Sequence, residues 1–263
     1  MATAAAARVA LVTGSTSGIG QGIARALASK GHSIILTGFG DTKGVELCEH
    51  NIKRDFQVPC YHIHADLANE YEIRKMCSEI IKKHPPGIDI LVNNAGFQHI
   101  DEIDRFPVEI WNTMVAVMLT APFLLTKYLL PGMRKKGWGR IINVASTHAT
   151  VASEKKAGYC SAKHGLIGLT KVTALDMART GITCNSINPG WVETEMFRKQ
   201  VKILSEELEV SEDEAKLRVL EKHPTKELTT AEQVGAAVNF LCSPAADNMT
   251  GTSLVLDGGW TAL

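Results

Sequence analysis

Val9-Ala-Leu-Val-Thr13-Gly14-Ser-Thr-Ser-Gly18-Ile-Gly20 is the stretch on which the fold turns. Its first five residues are apolar or β-branched and read as a short buried strand. The run then stops on glycines, and Ile23, Ala26 and Leu27 follow at helical spacing. A strand, a glycine turn and a helix in that order form a phosphate-binding context. Gly14 permits the tight turn, Gly18 lets backbone approach a pyrophosphate, and Gly20 lets the helix pack on the strand. The helix N-terminus adds free N–H groups and the positive end of its dipole. The spacing is G-x-x-x-G-x-G rather than G-x-G-x-x-G.

Working outward, further buried-type strands are expected at 33–37, 59–64, 88–92, 139–144, 183–188 and 252–256. Helical patterns lie between them, notably at 70–83, 107–130, 159–179 and 230–242. Strands separated by βα crossover lengths predict an α/β fold with a parallel sheet. The expectation is a single doubly wound domain over residues 1–263, seven-stranded, with helices on both faces and a ligand crevice where the strand order reverses. Residues 195–226 break the alternation with a charged helical pattern, which reads as a lid over the C-terminal edge of the sheet.

Composition narrows the function classes. Lys plus Arg equals Asp plus Glu at 28 each, so no basic field is present to hold nucleic acid or an anionic membrane, and small-molecule chemistry is favoured. The six cysteines are scattered without a C-x-x-C pair, which suits reduced thiols rather than a disulfide frame or a zinc site. No apolar run reaches the roughly 18–20 residues that span a bilayer. The alanine-rich start lacks the basic lead and long apolar core of an export signal. A cytoplasmic enzyme is the resulting expectation, with no metal, nucleic-acid or membrane partner.

Several strand ends carry candidate ligand residues. After the second strand comes Gly38-Phe39-Gly40-Asp41, with no Arg or Lys to meet a ribose 2′-phosphate and with Ser17 in the glycine turn. This favours NAD over NADP. Asp66 closes the third strand, where it is placed either to accept from an adenine amino group or to cap the 70–83 helix. Asn93-Asn94-Ala95-Gly96 follows the fourth strand, leaving room for a flat ligand, with Gln98 just beyond. Pro189-Gly190 ends the sixth, where a fixed φ and a missing Cβ let backbone press on a ligand.

The fifth strand delivers Ser146, and Tyr159-x-x-x-Lys163 follows on a helix. At i and i+4 the phenol and ammonium share a face, about 5–6 Å apart. A tyrosine of pKa near 10 is a poor base at pH 7, and a neighbouring cation lowers that value. The trio therefore has the makings of a proton carrier for an alcohol or carbonyl, with Ser146 holding the same oxygen.

With these motifs together, the whole chain resembles the short-chain dehydrogenase/reductase family. The resemblance implies a Rossmann-type NAD domain in which Tyr159 is the general acid/base, Lys163 lowers its pKa and binds nicotinamide ribose, and Ser146 positions the reacting oxygen. It further implies cofactor contacts from Gly14, Thr16, Ser17, Gly18, Ile19, Gly20, Phe39, Asp66, Leu67, Asn94, Ala95, Gly96, Pro189, Gly190, Val192 and Thr194. Other stretches, among them Gln98-His99, Ser146-Thr-His148, Gly190-Trp191 and Lys199-Gln200, are similar to family members that act on a short hydroxy acid. In those members the residues matching Gln98, His148, Lys156 and Gln200 hold the substrate carboxylate, with Ser146, Tyr159 and Trp191 beside the substrate. Lys155 adjoins Lys156, so that assignment stands open by one position. The family usually carries an asparagine at the position of Met118, where it holds a water linking the lysine to solvent; a thioether cannot replace it. A homotetramer is the family expectation. The alternatives are another small hydroxy or sugar acid as substrate, and a non-catalytic NAD-binding protein.

Overall fold

The computed structural model describes residues 7–263, so the alanine-rich start lies outside the described residues. Seven strands, β1 (Val9–Thr13), β2 (Ser33–Thr37), β3 (Cys60–His62), β4 (Ile90–Asn93), β5 (Gly139–Val144), β6 (Ile182–Pro189) and β7 (Ser253–Leu256), form one sheet in the order β3-β2-β1-β4-β5-β6-β7. Every pairing is parallel. The order reverses between β1 and β4, which opens a crevice beyond their C-terminal ends.

Burial on both faces explains why the strands read as unbroken apolar runs. Ala10, Val12, Ile34, Leu36, Val92 and Ile142 face one layer and meet Ile23 and Leu27 of α1 (Gly18–Ala28), Ile52 of α2 (Thr42–Phe56) and Val238 of α9 (Ala231–Leu241). Their sequence neighbours Leu11, Ile35, Leu91 and Ile141 point the other way, as a period of two requires. They pack on Met76 and Ile80 of α3 (Glu70–Lys83) and on Leu125, Leu129 and Met133 of α5 (Ala121–Lys136). Cutting one such fully buried side chain to alanine, Leu11→Ala for example, costs about 3 kcal/mol.

Three expectations need correction. Asp66 does not cap α3. Asn69 does so, its carboxamide oxygen accepting from Tyr71 N at 3.0 Å, while Asp66 accepts from Ala68 N at 2.8 Å. An amide one residue from the helix start reaches the orphan N–H groups that a residue four earlier cannot. The helix expected over 107–130 runs further, as α4 (Val108–Val115), a π-helical turn (Ala116–Thr120) containing Met118, and α5. This 29-residue stretch is long and apolar enough to cross a membrane by length and composition, contrary to the reading that no run is. Here Leu125, Leu129 and Met133 pack on the sheet, and Met114 and Met118 pack on Ala162 and Tyr159 of α6 (Ala157–Asp176).

The 195–226 excursion folds as α7 (Glu195–Leu208) and α8 (Glu212–Leu220). Despite its charge it has an apolar seam of Phe197, Val201, Ala215 and Val219, against which Trp191 packs. Thr194 opens α7, its hydroxyl accepting from Phe197 N at 3.3 Å.

Candidate active site

Sheet topology carries the ends of β1, β4, β5 and β6 to one edge. Asn94 ties the first two together: its Nδ2 donates to the carbonyls of Thr13 (2.8 Å) and Gly14 (3.1 Å), while Thr13 Oγ1 accepts from the amides of Asn94 and Ala95. Gly14 sits at φ +60°, and a Cβ there would lie 2.9 Å from Ala95 Cα. At Gly20 a Cβ would collide with the Gly14 carbonyl oxygen, so the helix reaches the turn only because Gly20 has no side chain.

A dinucleotide fits this cradle. Ser17 at the N-cap of α1 makes no side-chain cap bond and the first turn holds no acidic residue, so the N–H groups are left for an anion from outside. Gly18 at φ +52° faces the Thr194 methyl, with Ile19 lining the pocket beyond. Gln98 and Trp191 line the same pocket, and Gln98 Oε1 and Trp191 Nε1 are buried with no partner among the described residues, a polar pair that a ligand can satisfy. After β2, Thr16 Oγ1 donates to the Phe39 carbonyl at 2.8 Å, and Asp41 is committed to the Gly44 amide at the start of α2. No cationic side chain occurs over 38–41.

Ser146, Tyr159, His148 and Gln98 line the pocket at the end of β5. Tyr159 and Lys163 lie on one face of α6, with the ammonium 5.6 Å from the phenol ring centroid. The electrostatics differ from expectation. Burial raises the Tyr159 pKa, with the Ser146 and Gln98 side chains pulling the other way; Lys163 is not among the groups that lower it. Burial also pulls Lys163 down to about 8, and its ammonium donates to the Val144 carbonyl at 2.7 Å. In the protein alone, desolvation outweighs the attraction between ammonium and phenolate.

Of the paired lysines, Lys156 turns inward. It is only 6 % exposed, its ammonium lies 4.9 Å over the Trp191 ring, and burial with the Lys222 charge lowers it to about 8. Lys155 is exposed, at φ +60°. His148 is driven down to about 3, mainly by burial, and its Nε2 meets Ser153 Oγ at 2.8 Å. Gln200 is not brought to the pocket lining; Met196 and Phe197, one turn earlier on α7, stand there instead. Asp66 does not close β3, which ends at His62; it lies with Leu67 in the loop beyond, Leu67 buried and Asp66 partly so.

Sequence reasoning passed over Trp260 and His223 as site residues. Trp260 lines the pocket and stacks on Trp191 at 6.2 Å and 19°. His223 is fully buried, its Nε2 accepting from Trp191 N at 3.2 Å while Nδ1 faces the Glu227 carbonyl at 2.8 Å. A Cβ on Gly190 would lie 2.6 Å from that ring, which explains the glycine. His223 belongs to no motif and carried no signal; the Asp257-Gly-Gly-Trp260 ending was the only hint of the second indole.

A family model described as enoyl-(acyl carrier protein) reductase matches residues 14–261. The chain is 47 % identical to the D-beta-hydroxybutyrate dehydrogenase of Cupriavidus necator, across 97 % of this chain and 98 % of that one. It is 42 % identical to the protein of the same name from Rhizobium meliloti, across 97 % and 99 %. This chain belongs to the short-chain dehydrogenase/reductase family. Among solved structures, an actinorhodin polyketide ketoreductase variant with NADPH is 35 % identical and superposes with a TM-score of 0.92 over the full length of both chains. The chain is thus an oxidoreductase with the nicotinamide-binding fold of the short-chain dehydrogenases/reductases.

Proposed function

We propose that this short-chain dehydrogenase/reductase oxidises (R)-3-hydroxybutyrate to acetoacetate, reversibly and with NAD. The observation that carries the substrate class is the buried Lys156 ammonium, which has no carboxylate partner among the described residues and lies 4.9 Å over the ring of Trp191, an indole that lines the pocket with Ser146, His148 and Tyr159. Burying a cation is costly unless an anion meets it, and a short hydroxy acid brings one. The 47 % and 42 % identity to D-beta-hydroxybutyrate dehydrogenases supports the same substrate.

In this reading a bound nicotinamide supplies the acceptor for hydride from the substrate's C3. Tyr159 takes the hydroxyl proton, Ser146 holds the oxygen that becomes the carbonyl, and Lys163 keeps a positive charge near the phenol. Lys156, with neutral His148 and the Gln98 amide, holds the carboxylate and so fixes which carbon faces the cofactor. Gln200 joins them only if α7 moves, as a lid would. The α7–α8 pair closes the site against water.

NAD is favoured by the absence of a cation over 38–41, where a 2′-phosphate would need one. The opposite preference has its own support in the NADPH of the similar ketoreductase structure. A homotetramer is supported by apolar residues left exposed on α5 and α6, Phe123, Val172 and Leu175. Six unpaired cysteines accord with a reducing, cytoplasmic compartment.

Absorbance at 340 nm with each hydroxybutyrate enantiomer and each cofactor tests the reading. The expected result is reduction of NAD by the R enantiomer at least about 100-fold faster than of NADP, and Tyr159→Phe slower by about 10³. Turnover of another hydroxy acid with none of hydroxybutyrate overturns the substrate; cofactor binding without any turnover overturns the enzyme.

A further inference from the structure

A second cation lies over an indole that lines the same pocket. Lys222 follows α8 and is exposed, but its ammonium lies 5.2 Å over the ring of Trp260. Lys156 lies over Trp191, and the two indoles are stacked on each other. Each indole of the stacked pair therefore has an ammonium over its ring, one from a buried lysine and one from an exposed lysine. Among the described residues neither lysine forms an ion pair. The charged groups acting on Lys156 are Lys222 and Cys160, and those acting on His148 are Lys156, Lys222 and His164, with no carboxylate in either set.

The placement of Lys222 is built into the fold. His223 beside it is fully buried and uses both ring nitrogens, one on Trp191 N and one facing the Glu227 carbonyl. A Cβ on Gly258 would fall 2.4 Å from Thr225 Oγ1 and 3.3 Å from His223 Nδ1, so the C-terminal turn that carries Trp260 is pressed against the same segment. The end of the helical excursion and the end of the chain are thus fixed together, and Lys222 of the first lies over Trp260 of the second.

We propose that Lys222 is a specificity-determining residue, the outer cation of a two-lysine carboxylate subsite that selects short anionic 3-hydroxy and 3-keto acids over their uncharged analogues. It rests on the hydroxy-acid reading above. The Lys222 and Lys156 charges act on and repel each other, and a monoanion bound within reach of both relieves the repulsion while gaining both attractions. The indole faces offset part of the cost of holding the cations there before substrate arrives. An uncharged ester of the same shape gains nothing from either lysine, so charge is the property the subsite reads.

The test compares Lys222→Met, which keeps the stem over Trp260 without the charge, with Lys222→Arg, which keeps both. Butyrate binding is followed by tryptophan fluorescence at pH 7 in low salt, and KM is measured for (R)-3-hydroxybutyrate and for its ethyl ester. Lys222→Met is expected to weaken butyrate binding and raise the KM of the acid about fivefold, with the loss in KM rather than kcat and no change for the ester. Lys222→Arg stays within about twofold of the parent. Unaltered butyrate binding in Lys222→Met, or an equal loss for acid and ester, overturns the assignment. So does a parent protein that binds butyrate no better than the ester. Failure of the hydroxybutyrate reading shows separately, as no NADH formed by the parent protein, and the butyrate titration still decides the role of Lys222.

Discussion

The Lys163 ammonium donates to the carbonyl of Val144 at 2.7 Å, which pins α6 to the strand that delivers Ser146. The amine is thereby an anchor for the site's geometry as well as its charge. Lys163→Met fills the same slot without either function. Turnover should fall by at least about 100-fold, while stability in urea changes by no more than about 2 kcal/mol, since the lost bond is offset by removing a buried charge. A variant that keeps a tenth of the activity would show that the charge is dispensable.

Lys156 should write its titration into the pH profile. It is pulled down to about 8 by burial and by Lys222, so the free enzyme loses the carboxylate-holding charge as pH rises through that value. The kcat/KM for a hydroxy acid is expected to fall on the alkaline side with an apparent pKa near 8. Lys156→Arg, whose guanidinium stays charged, should remove the KM share of that limb, the kcat share remaining with Lys163, which burial lowers to the same value. A KM limb surviving in Lys156→Arg would assign it elsewhere.

His148 makes a prediction about acid stability. Its folded value is depressed to about 3 from the ordinary 6.5, largely by burial, so between those values the unfolded chain binds a proton that the folded chain refuses. The contribution is present in full above pH 6.5 and is lost as pH falls towards 3. At pH 5 the loss is about 2 kcal/mol relative to pH 7. His148→Gln cannot bind the proton, so the stability gap between variant and parent in urea unfolding should shift in the variant's favour by that amount.

Met118 and Lys163 converge on Gly96: a Cβ built there would lie 3.0 Å from the thioether sulfur and 3.8 Å from the ammonium nitrogen. Around the thioether are Met114, Ala162, Phe97 and Phe106. An amide in this apolar nest costs about 2 kcal/mol for want of partners, so Met118→Asn should be less stable in urea by that amount. If the family's asparagine-held water matters to proton exit, the same variant turns over severalfold faster. An unchanged kcat would show that protons leave this site by another route.

Much of the site was legible because its motifs are local. The glycine turn, the Asn94 loop, Ser146 and the Tyr159/Lys163 pair each follow a strand or open a helix, and short unbroken apolar runs set against a 3.6-residue period gave those elements away. The lysine ambiguity was not legible, since Lys155 and Lys156 are equivalent in sequence and differ only in that one backbone turns outward at φ +60° while the other side chain meets Trp191. The direction of the Tyr159 shift was misjudged for a related reason. Spacing fixes where two charges stand, whereas burial, which decided the sign, is a property of everything packed around them.

Alternating apolar runs and glycine punctuation in the chain were sufficient to specify a parallel sheet, its crossover helices and a phosphate-binding turn, because each depends on residues within a few positions of one another. Tertiary structure alone brought Trp191 and Trp260 into the pocket lining beside Tyr159 and set His223 and Lys222 against them, since these contacts join segments with no shared periodicity. It also set the charge state of the buried lysines and of His148, because the free energy of an ionised group depends on the water and the charges that the completed fold leaves around it.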